Sequence, residues 1–201
     1  MRLLNLACGA VRPQDEFWWN VDELHSHLAP GTPERLNLDA EPRYIDHDIL
    51  DFIPFERESF DGILASHCFE HWNCKKGVKV MRGCYNCLKP GGVLMVSVPD
   101  ASYFRLMHSA DTAENAVELF GEPIFAPDGE TTFLGYALWN RFHHAILTED
   151  ALWSYFIRSG FLNKNVERIS AISYYNEGIC KEMHRILNRR MFSLVMIGVK
   201  E

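Results

Sequence analysis

The stretch that most constrains the fold is Val93–Val98, V-L-M-V-S-V, which follows the tetrapeptide Lys89-Pro90-Gly91-Gly92. It is the most continuous β-branched run in the chain. A run without polar alternation belongs to a strand buried on both faces, as in a sheet with helices on either side. A strand of that kind needs a layer above and a layer below it. The opening residues fit the same scheme: Leu3, Leu4 and Leu6 form a short apolar run that stops at the small-residue turn Ala7-Cys8-Gly9-Ala10. That pattern predicts a buried strand feeding a loop where a ligand can approach the backbone.

Between these two runs the chain alternates. Phe17–Asp22 (F-W-W-N-V-D) predicts a second strand ending on a carboxylate, and Tyr44–Ile49 (Y-I-D-H-D-I) a third that finishes next to Asp48. The link from Cys8 to Glu16 is only nine residues, whereas a parallel crossover usually takes a dozen or more. Either the crossover is one compact turn or the second strand lies elsewhere. Residues 25–41, rich in Pro, Gly, Asn and Asp, predict an irregular excursion. Phe60–Ser66 predicts a fourth strand. A helix is expected over Lys75–Leu88, with Val80, Cys84 and Cys87 at helical spacing, stopped by Lys89-Pro90-Gly91-Gly92.

Beyond the central run, residues 111–120 suggest a helix and residues 121–142, with Pro123, Pro127 and Gly129, a long irregular segment. Segments of that size in a compact domain often act as lids or binding loops. Thr148-Glu149-Asp150 is a helix start, with a hydroxyl cap and first-turn acids, and Gly160 is its stop. Val166–Ser170 and Phe192–Val199 supply two further strands around a helix near residues 178–188. Strands alternating with helices predict an α/β doubly wound sheet.

Bulk properties remove several function classes. A chain of 201 residues with 47% hydrophobic content supports one sizeable core and therefore a single domain. A net charge of −7 provides no cationic field for a nucleic-acid backbone. No apolar run reaches the roughly 18 residues of a membrane span, and Asn5, Arg12, Asp15 and Glu16 interrupt the start in a way no signal peptide does. A reducing, cytoplasmic compartment is expected. The six cysteines, at 8, 68, 74, 84, 87 and 180, show no repeated paired spacing and are expected as free thiols.

Three motifs compete for the chemistry. His67-Cys68-Phe69-Glu70-His71 formally matches H-x-x-E-H, a zinc-hydrolase signature that requires a helix presenting both histidines and a third ligand. Here it directly follows a strand, so that reading is secondary, and no metal is expected. Cys84-x-x-Cys87 would suit a redox pair or half a zinc site, but helical spacing sets both beside Val80 on a buried face. The opening loop lacks the three glycines of a dinucleotide site.

In order, the segments L-N-L-A-C-G, N-V-D, H-D-I-L, S-F-D-G-I-L-A-S-H-C-F-E-H, L-K-P-G-G-V-L-M-V-S-V-P-D and S-G-F resemble the class I, Rossmann-like S-adenosylmethionine-dependent methyltransferases. The resemblance runs from Leu3 to about Val199. It implies a seven-stranded, mostly parallel sheet with an antiparallel last strand, helices on both faces, and S-adenosylmethionine at the carboxyl ends of the first strands. By the same resemblance, Asn5 and the loop residues Ala7, Cys8 and Gly9 attend the methionine part of the cofactor. Asn5 stands where many relatives carry an acid, and Ala7 where they carry glycine. Asp22 matches the acid that receives the ribose hydroxyls, and Asp48 the group that receives the adenine amine. Ile49 or Leu50 is available to pack on the ring, and Ser66 and His67 lie nearest the sulfonium.

Phe69, Glu70 and His71 match a family stretch that opens the next helix. The implied reaction is methyl transfer to a small or medium-sized acceptor. His67, His71, His143 and His144 are the candidate bases for a poorly ionised hydroxyl or amine. A binding module that keeps the fold without the chemistry is the alternative. Residues 121–144 are expected to cover the site as a lid or substrate-binding insertion, unless the second subunit of a homodimer does.

Overall fold

The computed structural model describes residues 1–9, 12–23, 43–101, 144–169, 178–186 and 193–201. Seven strands form one sheet: β1 (Leu3–Leu6), β2 (Trp18–Asp22), β3 (Tyr44–Asp46), β4 (Phe60–Ser66), β5 (Leu88–Pro99), β6 (Val166–Ile169) and β7 (Ser193–Val199). Their order is β3-β2-β1-β4-β5-β7-β6. Strands β1 to β5 pair in parallel, and β7 runs antiparallel to both β5 and β6. The expected Rossmann-like sheet with its antiparallel last strand is therefore present. The strand order reverses between β1 and β4, and at such a switch point the loops on the carboxyl side diverge and leave a crevice.

Successive side chains of a strand face opposite sides of the sheet, and this alternation builds two apolar layers. Leu4, Leu6, Ile63, Ala65, Leu94 and Val96 pack on one side with helices α1 (Cys74–Cys87) and α2 (Glu149–Ser159), through Val80, Met81, Cys84, Leu152 and Phe156. Leu3, Leu64, Val93, Met95, Val195 and Ile197 face the other side, where helix α3 (Gly178–Ile186) adds Cys180 and Met183. The two-faced burial expected of the Val93–Val98 run is thus met by a helical layer on each face. All six cysteines are free, and Cys84 and Cys87 lie in the apolar layer as expected.

The helix ends follow the local chemistry. Asn73 caps α1 by accepting from the Lys76 N–H at 3.0 Å. The Thr148 hydroxyl accepts from the Ala151 N–H at 3.2 Å, and Gly160 ends α2 at φ +118°, a left-handed conformation that favours glycine.

Several expectations needed correction. Lys89-Pro90-Gly91-Gly92 is not a loop after the helix: β5 begins at Leu88, directly after α1, and its register on β4 shifts between Phe60↔Leu88 and Gly62↔Val93. The Pro-Gly-Gly signal marks a bulge inside a long strand, which local turn chemistry resembles closely. Strand β3 stops at Asp46, so Asp48 and Ile49 sit in the turn after it. Phe69–His71 does not open the next helix. It forms a separate 3-10 turn, and α1 starts afresh after Asn73. That turn also withholds the helical histidine pair that a zinc hydrolase needs. The short first connection is compact, with β2 in parallel register with β1 at Leu3↔Trp18. The excursion at 25–41, the helix at 111–120, and the irregular segment at 121–142 lie outside the described residues.

The close approach of β7 to α2 yields a test. A Cβ on Gly198 would stand 2.6 Å from Phe156 Cδ1 and 2.8 Å from Phe161 Cδ1, both on buried rings. Gly198→Ala is expected to lower stability by about 1–3 kcal/mol through overpacking, seen as a lower urea midpoint at unchanged slope. An unchanged midpoint would contradict this packing.

Candidate functional site

A cleft of about 610 Å³ opens over the carboxyl ends of β1, β2, β3 and β4, lined among others by Ala7, Gly9, Asp22, Asp48, His67 and His144. Its volume lies in the range of small-molecule sites. It is sited by topology: Ala7 and Gly9 follow β1, Asp22 ends β2, Asp48 follows β3, and His67 follows β4.

The loop after β1 is clamped at both backbone groups of Gly9. Its N–H donates to Asp22 Oδ2 at 2.6 Å, and its carbonyl accepts from Arg12 Nε at 3.0 Å. The second Asp22 oxygen accepts from the Glu23 N–H at 2.8 Å. The Asp22 side chain also stands in the cleft lining. Gly9 sits at φ +52°, and among the described residues other than its chain neighbours no atom lies within 4 Å of where its Cβ would stand. Its left-handed backbone is what calls for glycine, and the space above it is open to a ligand.

Ala7 occupies the same left-handed region at φ +53°, where a side chain is disfavoured by sterics. Cys8, between them, points into the protein and is buried. Burial, reinforced by the Asp22 charge, pushes its thiol up to about 12, so it stays neutral. Burial, with Cys8 and Asp22 nearby, also raises Tyr44 above its ordinary value.

On the β3 side, Asp48 accepts from the Leu50 N–H at 2.8 Å, which fixes the turn that presents Ile49 and Leu50. Lys79 of α1 donates to the Leu50 carbonyl at 2.7 Å and ties that turn to the helix. On the β4 side, His67 is held at φ +52°. Its Nδ1 lies 3.3 Å from Glu70 Oε1 and its Nε2 2.9 Å from Ser193 Oγ.

The structure brings Ala7, Gly9, Asp22, Asp48, Ile49, His67, His71 and His144 together in the cleft lining. Three candidates lie behind it. Asn5 is buried and donates to Asn20 Oδ1 at 3.3 Å; Asn20 in turn holds the Pro13 carbonyl at 3.2 Å, so the pair braces the short crossover. Cys8 and Ser66 also stand outside the lining. His143, and residues 121–143 of the expected cover, lie outside the described residues. Sequence reasoning did not single out Glu23, Trp72, Asn73 and Lys76, which also line the cleft. The acid pair Asp22-Glu23 at a strand end was a signal for the first. The others depend on where α1 begins. No group of three or more metal-ligating side chains occurs among the described residues.

The clamp offers a direct check on the loop. Ala7→Gly relieves a left-handed alanine, worth roughly 1–2 kcal/mol, against an unfolded-state entropy cost of about 0.4–1 kcal/mol. A net gain in stability is expected, read as a higher urea midpoint. A loss would mean that residue 7 is not held in this conformation.

Residues 4–96 match the family model of the methyltransferase domain. No curated protein matches the sequence. Among solved structures, the chain is similar to an S-adenosylmethionine-dependent methyltransferase from Archaeoglobus fulgidus, at 15% identity, TM-score 0.54, and coverage of 99% of this chain and 86% of that one. It is also similar to one from Mesorhizobium loti, at 19% identity, TM-score 0.53, and coverage of 99% and 90%. A third is described as a possible histamine N-methyltransferase from Thermotoga maritima, at 17% identity, TM-score 0.53, and coverage of 100% and 82%. At these identities the likeness is one of fold.

Proposed function

We infer that this chain, a class I S-adenosylmethionine-dependent methyltransferase by its matched domain and sheet, moves the methyl group to a small or medium-sized acceptor, a hydroxyl, amine or carbon of a metabolite, sugar or lipid precursor. The observation that carries this reading is the cleft at the switch point, which sets two carboxylates, Asp22 and Asp48, beside an open left-handed glycine.

In this reading the glycine loop holds the methionine part of the cofactor, with Gly9 leaving room for it. Asp22 receives the two ribose hydroxyls, a task that suits a carboxylate with its two acceptor oxygens. Asp48 takes the adenine amine, and Ile49, in the lining, packs on the ring. When bound, the cofactor supplies a methyl group on an already activated sulfonium. The protein therefore mainly positions the reactants, which can contribute roughly 7–11 kcal/mol to lowering the barrier. His67, His71 and His144 stand in the lining as groups that can take a proton from a hydroxyl or amine acceptor.

The cleft volume supports a small acceptor. No helix among the described residues is long and apolar enough to cross a membrane. The six free cysteines support a reducing, cytoplasmic setting. At the edge of the cleft, His144 and Ala145 both donate from their backbone N–H groups to the Glu70 carbonyl, at 2.7 and 3.0 Å.

Isothermal titration with S-adenosylmethionine and S-adenosylhomocysteine tests the cofactor assignment. Both are expected to bind, and Asp22→Ala to weaken binding at least tenfold while the protein stays folded. A folded wild-type protein that binds neither would sink the enzyme reading in favour of a module that keeps only the fold. A metabolite screen with a labelled methyl donor then identifies the acceptor.

A further inference from the structure

Glu70 and Ser193 have no part in the reading above, yet both converge on a cleft residue. Glu70 is 2% exposed, its Oε1 lies 3.3 Å from His67 Nδ1, and its Oε2 has no hydrogen-bond partner among the described residues. Ser193, the first residue of β7, sets its Oγ 2.9 Å from His67 Nε2, across 126 positions of sequence. The His67 backbone is fixed as well, by its left-handed φ and by its N–H donating to the Ser97 carbonyl at 2.8 Å. The imidazole is thus gripped at both nitrogens by groups from two different elements, while the residue itself lines the cleft.

The chemistry of the partners orders the protons. A buried carboxylate is tolerated when paired with a donor, and an ionised carboxylate only accepts. The Nδ1 atom therefore carries a proton and donates it to Glu70. The neutral ring then has its lone pair on Nε2, and the Ser193 hydroxyl, which can donate or accept, donates to it. A base oriented by a third group in this way is a recurring catalytic arrangement.

We propose that Glu70 and Ser193 are positioning residues that hold His67 as the base for the acceptor, with the Nδ1 proton on Glu70 and the Nε2 lone pair on the Ser193 hydroxyl. Its purpose rests on the methyl-transfer reading; its geometry does not. An acceptor hydroxyl or amine entering the cleft takes the place of the Ser193 hydroxyl at Nε2 and gives its proton to that lone pair. One bond to hydrogen breaks at the acceptor and one N–H bond forms at His67. The resulting imidazolium faces the Glu70 carboxylate.

The test is long-range ¹H–¹⁵N correlation spectroscopy of protein labelled at histidine, at a pH where the ring is neutral, with His67→Asn identifying the signals of His67. The wild-type protein is expected to show the Nδ1–H tautomer. In Ser193→Ala the tautomer should persist, with the Nε2 resonance moving downfield as its donor is lost, and Ser193→Thr should restore the wild-type position. Glu70→Ala should shift the ring toward the Nε2–H tautomer. A wild-type Nε2–H tautomer, or an Nε2 resonance unmoved in Ser193→Ala, would overturn the proposal. The wild-type spectrum decides even if the buried Glu70 variant fails to fold. S-adenosylhomocysteine titrated into the same samples separates the two ideas: absent binding would sink the methyl-transfer reading, while the tautomer judges the positioning claim.

Discussion

The hydrogen bond from the Gly9 N–H to Asp22 Oδ2, at 2.6 Å, is the constraint on which the rest of the site depends. It joins the loop after β1 to the end of β2 and fixes the distance between backbone and carboxylate on the floor of the cleft. A hydrogen bond to a charged group contributes about 1.5–3 kcal/mol, and the carboxylate that makes this one is only 6% exposed. The neighbourhood serves the same end. Arg12 holds the Gly9 carbonyl and lays its guanidinium 4.2 Å from the centre of the Tyr44 ring. The Tyr44 hydroxyl and the His47 N–H both donate to the Asp22 carbonyl. Three strands are thereby locked around one residue.

The compact first crossover follows from this locking. Where a longer connection would carry its own packing, the segment from Ala7 to Phe17 is tied down by polar groups. Asn5 bonds to Asn20, Asn20 to the Pro13 carbonyl, and the Trp18 N–H to the Asp15 carbonyl. Buried amides that satisfy one another in series specify a single arrangement, because breaking one leaves its partner unpaired in a medium that penalises it. Asn5 acts in this structure as a brace for the crossover.

Most of the sheet was legible in the sequence, because apolar periodicity and end signals are local. The Val93–Val98 run announced a strand with two covered faces, Thr148 and Gly160 bracketed α2, and the resemblance to the methyltransferases pointed to Asp22 and Asp48, which both line the cleft. The misreadings were also local in origin. Pro90-Gly91-Gly92 has the composition of a turn, and only the pairing of β4 with β5 turns it into a bulge. Glu70 reads as part of a helix start, although its side chain meets His67 and its carbonyl holds His144 and Ala145. Ser193 carried no signal at all, since its contact with His67 exists only because β7 is inserted antiparallel beside β5. Partners contributed by distant strands are invisible to spacing.

The central claim is that a ligand enters above Gly9 and engages the carboxylate that already holds that residue. Titration of ¹⁵N-labelled protein with S-adenosylhomocysteine, followed at the Gly9 amide, tests this most directly. The account predicts that the Gly9, Glu23 and Ile49 amides shift together and saturate with a common affinity. Saturable binding that leaves Gly9 and Glu23 unmoved would contradict it.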